Sequence, residues 1–304
     1  MGVGVLVPVH GFAPFLGEAL DSVLSQDADV TVVVVDDGSP QPLVLHPDHA
    51  ARVTLVRRPV AGGPAQARAT GLERLDAHVS LIALCDADDA WCAGALAATV
   101  HALDDAPDVG WAFGRALVVG PDGRPSGERW AQPSAGRLDA ETFARELYAA
   151  NPVPTSSVVL RRAALQGVGG FRSPVRVAED WELWLRLCGA GADALCVPGA
   201  TVRYRRHPGG LTADVTGLAV AQLAVHEQHA QLVGPGAARQ VIADDYAALA
   251  AGRARDGDHA GARAAWAQAA ARRPLRREER LRRMALSVPG VRRRLGRADP
   301  YRGR

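Results

Sequence analysis

Asp86, Asp88 and Asp89 follow directly on an apolar run at residues 79–84, within Cys85-Asp86-Ala87-Asp88-Asp89. Carboxylates spaced this closely at a strand end can converge on a hard divalent cation, which takes oxygen ligands and shares its other positions with substrate phosphates. The same run also suits an acidic turn or a helix N-cap. Asp36-Asp37-Gly38-Ser39 closes a second apolar run, residues 31–35. An aspartate there can accept hydrogen bonds from a nucleobase or ribose, although Asp, Gly and Ser equally make plain turns. A third acidic pair, Glu179-Asp180, opens an amphipathic segment carrying Trp181, Trp184 and Arg186. A carboxylate near an apolar wall can act as a general base. Both acids can equally be capping residues favoured by the dipole of a helix start.

For these groups to act together, the chain must bring several strand ends to one edge. The first hundred residues have the pattern for that. Apolar runs at 3–9, 31–35, 52–56 and 79–84 read as buried strands, and segments at about 14–26 and 64–75 read as helices. Pro64 sits in the first turn of the second helix, where its missing N–H costs nothing. Continuous apolar strands separated by helices predict a parallel sheet covered on both faces. Ligands bind such sheets at the carboxyl ends of the strands, and the acidic clusters fall there. Further on, 110–119, 156–160 and 194–206 read as strands, the last as one or two, and 178–188 as a helix. Beyond about residue 212 the chain is Ala-rich and helical. Residues 246–273 resemble a single tetratricopeptide-type hairpin with Gly257-Asp258 at its turn; one copy is a packing appendage and makes no solenoid.

Composition is that of an ordinary globular protein, 48% hydrophobic and 22% charged over 304 residues. Cys85, Cys92, Cys188 and Cys196 form no CxxC pair, so neither a zinc site nor a disulfide framework is expected. The first eight residues run straight into an apolar strand without a basic stretch, which argues against a signal peptide. No apolar run is long enough to span a membrane, so a cytoplasmic protein is expected. The total charge of +2 hides an asymmetry: residues 272–304 hold 13 arginines against three acids, leaving −8 on the rest. Leu281, Met284, Ala285 and Val288 fall on one face of this basic tail at helical spacing. Such a helix can lie on an anionic membrane surface, which would put the protein at the inner face of the membrane. A tail packed on the acidic body, or a disordered end, is the alternative.

The order Val7-Pro8-Val9-His10, Asp36-Asp37-Gly38-Ser39, Gly62-Gly63-Pro64-Ala65-Gln66-Ala67-Arg68, Asp86-Ala87-Asp88-Asp89, then Glu179-Asp180 with Trp184 and Arg186, closely resembles inverting glycosyltransferase family two. The resemblance runs from about residue 3 to about 212. It implies the GT-A fold, an α/β doubly wound and mostly parallel sheet, here with a helical C-terminal extension. A transferase domain over 1–212 would divide into a nucleotide-sugar half, about 1–105, and an acceptor half, about 106–212. Residues 213–304 would form the extension. Carried over by position, the resemblance places Pro8 and His10 at the nucleobase, with Asp37 bonding the base and Arg68 near the nucleotide. Asp86 would contact the ribose or sugar side. Asp88 would hold Mg²⁺ or Mn²⁺ against the diphosphate, and Asp180 would be the catalytic base. Arg205 and His207 match a late segment that closes over the diphosphate, which makes His207 a second metal candidate. Asp36, Asp89 and Glu179 are further candidates. Gly169-Gly170-Phe171 resembles an acceptor-side loop.

The chain departs from the family where His10-Gly11 replaces Tyr-Asn and where Ala67-Arg68-Ala69-Thr70-Gly71 lacks the usual Asn. The Pro common after the aspartates is also missing near Ala93. No carboxylate is lost. The implied activity is sugar transfer from a nucleotide-diphospho-sugar, UDP-linked by preference, to a hydroxyl of a glycan, lipid-linked, peptide or natural-product acceptor. No nucleic-acid partner is expected. A nucleotidyltransferase would carry a basic loop after the first strand, where this chain has Val9-His10-Gly11-Phe12. A dinucleotide-dependent oxidoreductase would show GxGxxG after a strand. A non-catalytic scaffold of the same fold would be expected to have lost carboxylates.

Overall fold

The computed structural model of the protein describes residues 2–172, 175–210 and 214–285. The chain divides into two compact units, Met1–Gly210 and Leu211–Arg304. In the first, four strands lie parallel in the order β3 (Thr54–Arg57), β2 (Val30–Asp36), β1 (Val3–Val9), β4 (Leu81–Leu84). The valines and leucines of β1, β4 and residues 32–35 of β2 are buried on both faces, as apolar residues in a covered parallel sheet must be, while β3 at the edge leaves Leu55 exposed. The chain runs outward from β1 to β2 and β3, then returns to β4 on the other side. The β1/β4 boundary is therefore the switch point where a crevice opens at the strand ends.

The connecting helices are α1 (Leu16–Leu24), the four-residue α2 (Pro47–Ala50) and α3 (Pro64–Leu72). The turn that closes α2, in which Arg52 N and Val53 N donate to His49 O, takes up the first two residues read as the third strand and delays β3 to Thr54. Helix α3 packs closely on β1 and β2: a Cβ at Gly71 would lie 2.9 Å from Leu6 Cδ2 and 3.1 Å from Val35 Cγ2. This approach brings the Arg68 side chain up to the strand ends.

Past β4 the sheet becomes mixed. After the two-residue β5 (Ala90–Trp91) come α4 (Ala95–Asp104), β6 (Trp111–Val119), β7 (Gly136–Leu138) and α5 (Ala140–Ala149). Then follow a 3-10 turn at Thr155–Ser157, β8 (Val159–Arg161), α6 (Arg162–Gly167), α7 (Glu179–Gly189) and β9 (Ala194–Arg205). β8 inserts antiparallel between β4 and β6, and β9 runs parallel to β6. The strand read at 156–160 thus opens as a tight turn, because Ser157 Oγ donates to Pro154 O at 2.7 Å and draws the backbone out of the ladder. The segment at 194–206 is one strand, with a register shift opposite Phe113/Arg115 that absorbs Pro198 and Gly199.

An aromatic cluster fixes α7. Trp184 is fully buried and stacks on Trp111 with centroids 5.0 Å apart, while Trp181 Nε1 donates to Leu147 O at 2.7 Å. Arg186 donates to the carbonyls of Val168, Gly170 and Arg172, tying the Gly169-Gly170-Phe171 loop to the same helix. Trp184 and Arg186 therefore hold the helix that presents the two acids.

The second unit contains α8 (Val215–His229), α9 (Pro235–Arg255), α10 (His259–Arg272) and α11 (Arg277–Ala285). Its core of Ala247, Ala250, Ala262, Ala265 and Ala269 closes around the buried Trp266. The hairpin turns at Gly257-Asp258, where Gly257 has φ +86° and Asp258 caps α10 by accepting from Gly261 N at 2.8 Å. Its first helix begins at Pro235, well before residue 246.

Candidate active site

At the end of β2, two adjacent aspartates meet different partners. Asp36 is buried and accepts from Ser39 N at 2.9 Å, from Leu43 N at 3.0 Å and from Arg57. Burial opposes its ionisation, but these hydrogen bonds win and hold its carboxyl below the ordinary range. Asp37 accepts from Gly62 N at 3.0 Å, from Gly63 N at 2.7 Å and from Arg58. It thereby fastens the entrance of α3 to the end of β2. Gly38, at φ +62°, lets the chain turn there, since a Cβ would fall 2.5 Å from Ala61 N. The exposed His10 donates from Nδ1 to Asp37 O at 2.8 Å, and Gly11 N donates to Ser39 Oγ. Pro8, half-buried, pairs with Val35 one step before the strand ends. A cleft of about 250 Å³ opens beside this loop, with Gly62, Gly63, Gln66 and Arg176 among its lining residues.

At the end of β4 the three aspartates separate in the same way. Asp89 is buried, accepting from Ser156 Oγ at 2.6 Å and from Arg205 N at 2.8 Å. Burial first, then the charges of Asp88 and Asp86, push its pKa well above the ordinary carboxylate value. Arg205 is also enclosed, donating to Asp88 O, Gly120 O, Pro121 O and Glu18 Oε2 and lying over the Phe15 ring. It braces the loop from behind. Asp88 differs: its carboxylate is 37% exposed and lies 3.0 Å from His207 Nε2. Burial and the neighbouring Asp86 raise its pKa, with His207 opposing.

Among the described residues no three His, Cys, Asp or Glu side chains converge on one point. Asp88 and His207 supply two donors. Ligands on adjacent positions of an octahedral ion with bonds of roughly 2.1 Å lie roughly 3 Å apart, which is their separation. Such an ion with one or two protein ligands fills its shell from phosphates and water. The donor set fits Mg²⁺ or Mn²⁺ held jointly with a diphosphate.

Arg68 joins this loop to α7. Its guanidinium is 3% exposed and donates to Asp86 Oδ1 at 2.6 Å and Glu179 Oε1 at 2.8 Å. Burial disfavours its charge, but Asp86, Glu179 and Asp180 outweigh that and raise its basicity further. Glu179 is pushed up to about 7 by burial, against the pull of Arg68. It is engaged inside the protein. Asp180, one residue on and half-buried, accepts from Thr155 Oγ1 and from Trp181 N at 2.7 Å. Burial raises its pKa, with Thr155 and then Arg68 pulling the other way. Ala178, just before the pair, has φ +62°, the left-handed conformation in a non-glycine residue and the one such case among the described residues. Backbone strain of this kind, of order 1–3 kcal/mol, persists where the surroundings over-determine it; here it sets the entry of α7.

The structure therefore brings Asp86, Asp88, Asp180 and His207 to the β1/β4 crevice and its rim. Asp36, Asp37, Arg68, Asp89, Glu179 and Arg205 are buried and closed by internal hydrogen bonds, so the expected contact of Asp37 with a base would compete with Gly62, Gly63 and Arg58. Sequence reasoning missed Thr155, Ser156 and Arg58. The polar, proline-flanked run Asn151-Pro152-Val153-Pro154-Thr155-Ser156-Ser157 was the available signal, and nothing in its spacing points to a distant carboxylate.

The chain matches the model of Glycosyl transferase family 2 over residues 4–166. It is 28% identical over 207 residues to the pre-mycofactocin glycosyltransferase of Mycobacterium tuberculosis, covering 66% of this chain and 42% of that protein. It is 38% identical over 94 residues to the succinoglycan biosynthesis protein ExoW of Rhizobium meliloti, 29% of each. The chain thus spans less than half the length of these two relatives. Among solved structures, S. aureus TarS 1-349 in complex with UDP-GlcNAc aligns with a TM-score of 0.65 at 15% identity, over 97% of this chain and 88% of that one. The mannosyltransferase PcManGT from Pyrobaculum calidifontis, in complex with GDP-Man and Mn²⁺, aligns with a TM-score of 0.58 at 23% identity, over 97% and 82%. At these identities the likeness is one of fold.

Proposed function

Because the chain belongs to glycosyl transferase family 2, we propose that it moves a sugar from a nucleotide-diphospho-sugar to an acceptor hydroxyl by single displacement at the β1/β4 crevice. The observation that carries this reading is the division of labour between adjacent acids: Arg68 engages Glu179, while Asp180 keeps a half-buried carboxylate on the rim. Asp180 takes the acceptor proton as the hydroxyl oxygen bonds the anomeric carbon. The bond from that carbon to the diphosphate oxygen breaks on the opposite face, so the anomeric configuration inverts. A positioned base contributes about 10²–10⁴-fold. Asp88 and His207 would hold the divalent cation, which when bound neutralises charge on the leaving diphosphate. His10, Pro8 and the loop fastened by Asp37 would receive the nucleobase. Uridine is the favoured base, as in the UDP-GlcNAc complex of TarS; the GDP-Man complex of PcManGT makes guanosine the comparison.

UDP with Mn²⁺ is expected to raise the melting temperature more than either alone. At a hundred times Kd the stabilisation is about 2.7 kcal/mol, several degrees for a domain of this size. Absence of a shift with UDP, GDP and dTDP alike, each with Mn²⁺, removes the proposal.

The acceptor is read as a hydroxyl of a glycan, lipid, peptide or natural product, and the tail bears on which. In α11, Leu281 and Met284 are 54% and 57% exposed beside Arg280, Arg282 and Arg283; Val288, Pro289-Gly290 and residues 291–295 lie outside the described residues. No described helix is long and apolar enough to cross a membrane. Arg273 is buried against Asp244 and Glu279, and Arg276 pairs with Asp244, so the start of the tail packs on its own unit; peripheral binding to an anionic leaflet, each exposed arginine contributing about 1 kcal/mol, is the alternative for the rest of 272–304. The full chain, and not one ending at Ala271, is expected to sediment with anionic vesicles and to be released by salt. Both remaining in the supernatant at low salt refutes it.

A further inference from the structure

We infer that Thr155 is the positioning residue of Asp180, holding the carboxylate at a set place relative to the donor-side loop and in its ionised form. The inference rests on the reading of Asp180 as the base. The turn that carries Thr155 is fixed on every side. Ser157 N and Oγ both donate to Pro154 O, at 2.9 and 2.7 Å, and Val158 N donates to Thr155 O at 3.1 Å. Trp91 Nε1 donates to Ser156 O at 2.6 Å.

Two consecutive hydroxyls then reach opposite halves of the site. Ser156, fully buried, donates to Asp89 Oδ2 at 2.6 Å and accepts from Asp86 N at 3.0 Å. Thr155 donates to Asp180 Oδ2. One rigid turn thus grips the loop that carries Asp88 and, one residue away, the carboxylate that faces the acceptor. A base displaced by about 1 Å can lose about 10²-fold, so this span bears directly on turnover.

The bond also has a chemical sense. A hydroxyl has one proton to give, and giving it to Oδ2 favours the anion of Asp180 over its neutral acid. Trp181 N occupies Oδ1 in the same manner. Each oxygen keeps a lone pair for the acceptor proton. The other charged groups around Asp180 are Arg68 from α3, which favours the anion, and Asp86 beyond β4 and Glu179 from α7, which oppose it. Burial opposes it most. Arg172 and Arg186 line the same small cavity as Asp180.

Thr155→Val keeps the shape and removes the donor; Thr155→Ser keeps the donor. Transfer of sugar from UDP-sugar is followed as kcat and as donor KM against pH, with the folded fraction measured for each variant. The Val variant is expected to lose about 10²-fold in kcat, to shift the acid limb of its kcat profile to higher pH, and to keep its donor KM and its UDP–Mn²⁺ melting increment. The Ser variant is expected to recover most of the rate and the wild-type limb. Thr155→Ala, which cannot overpack, carries the same test if the Val variant is unstable. A donor-less variant with wild-type kcat and an unmoved limb overturns the proposal, and so does a rate loss accounted for by unfolding. The base reading fails separately, if Asp180→Asn still transfers.

Discussion

Asp180→Asn is expected to reduce sugar transfer by about 10²–10⁴-fold while leaving the UDP–Mn²⁺ melting increment intact. The amide fills the same space and can still accept one hydrogen bond, but it cannot take the acceptor proton. Nucleotide and cation are handled elsewhere, by the loops after β2 and β4, so binding measured by calorimetry should be unchanged. Release of UDP reports turnover, and the anomeric configuration of the product reports the mechanism: retention excludes single displacement. The pH dependence follows from the same group. Burial raises the pKa of Asp180 above the ordinary carboxylate value, so kcat should rise with pH through a limb displaced upward from that value. For stability the sign is opposite. The folded state binds this proton more tightly than the unfolded chain, so stability contributed by the neutral acid is lost as pH rises through the folded value. Asp180→Asn, with no charge to bury, should therefore melt at or above the wild-type temperature at neutral pH. A variant that is inactive because it has unfolded, or that has lost UDP binding, is incompatible with the role of Asp180 as a base alone.

Asp88→Asn should bring an equally large loss by a different route. The exposed carboxylate beside His207 is the cation ligand of the proposed site, and charge stabilisation by a bound ion is worth several kcal/mol in the transition state. A loss of about 10³-fold or more in transfer follows from the conversion of about 1.4 kcal/mol per tenfold. Binding should report it too: Mn²⁺ should no longer add to the melting shift given by UDP. Chelation of the wild type should reproduce that behaviour, and added Mn²⁺ should reverse it in the wild type only. If Asp88→Asn retains the wild-type response to limiting Mn²⁺, the ion is held by other groups. The contrast with Asp89 is instructive. Asp89 is adjacent in the chain but sealed by Ser156 and Arg205, so its replacement would act on the fold of the loop.

These two aspartates show how a family resemblance and a structure contribute differently. The resemblance gave Asp88 the metal and Asp180 the acceptor proton, set Arg68, Arg205 and His207 at the nucleotide and diphosphate, and left Glu179 as a further candidate. The structure sorts them by what each side chain already touches. Arg68 is enclosed between Asp86 and Glu179, Arg205 between four acceptors, while Asp88 and Asp180 keep carboxylates on the rim.

The elements that place the site were legible from the chain alone. The apolar runs that became β1, β2 and β4 show no polar–apolar alternation that would give one face to water, so a covered parallel sheet accommodates them. Parallel strands connected by helices must end at one edge, and that places Asp37 and Asp86–Asp89 together before any coordinate is known. The hairpin turn at Gly257-Asp258 was equally local, because a left-handed glycine and a capping aspartate act within one turn. Folding alone fixes which acids are engaged and which are available. The donors that seal Asp89 lie 67 and 116 residues away, and Arg68 meets Glu179 across 111. Thr155, 25 residues before Asp180, is likewise brought to it by packing. Periodicity and turn chemistry act over a few residues, whereas the ionisation and exposure of a carboxylate depend on whichever donors and apolar walls the folded chain brings within hydrogen-bond distance.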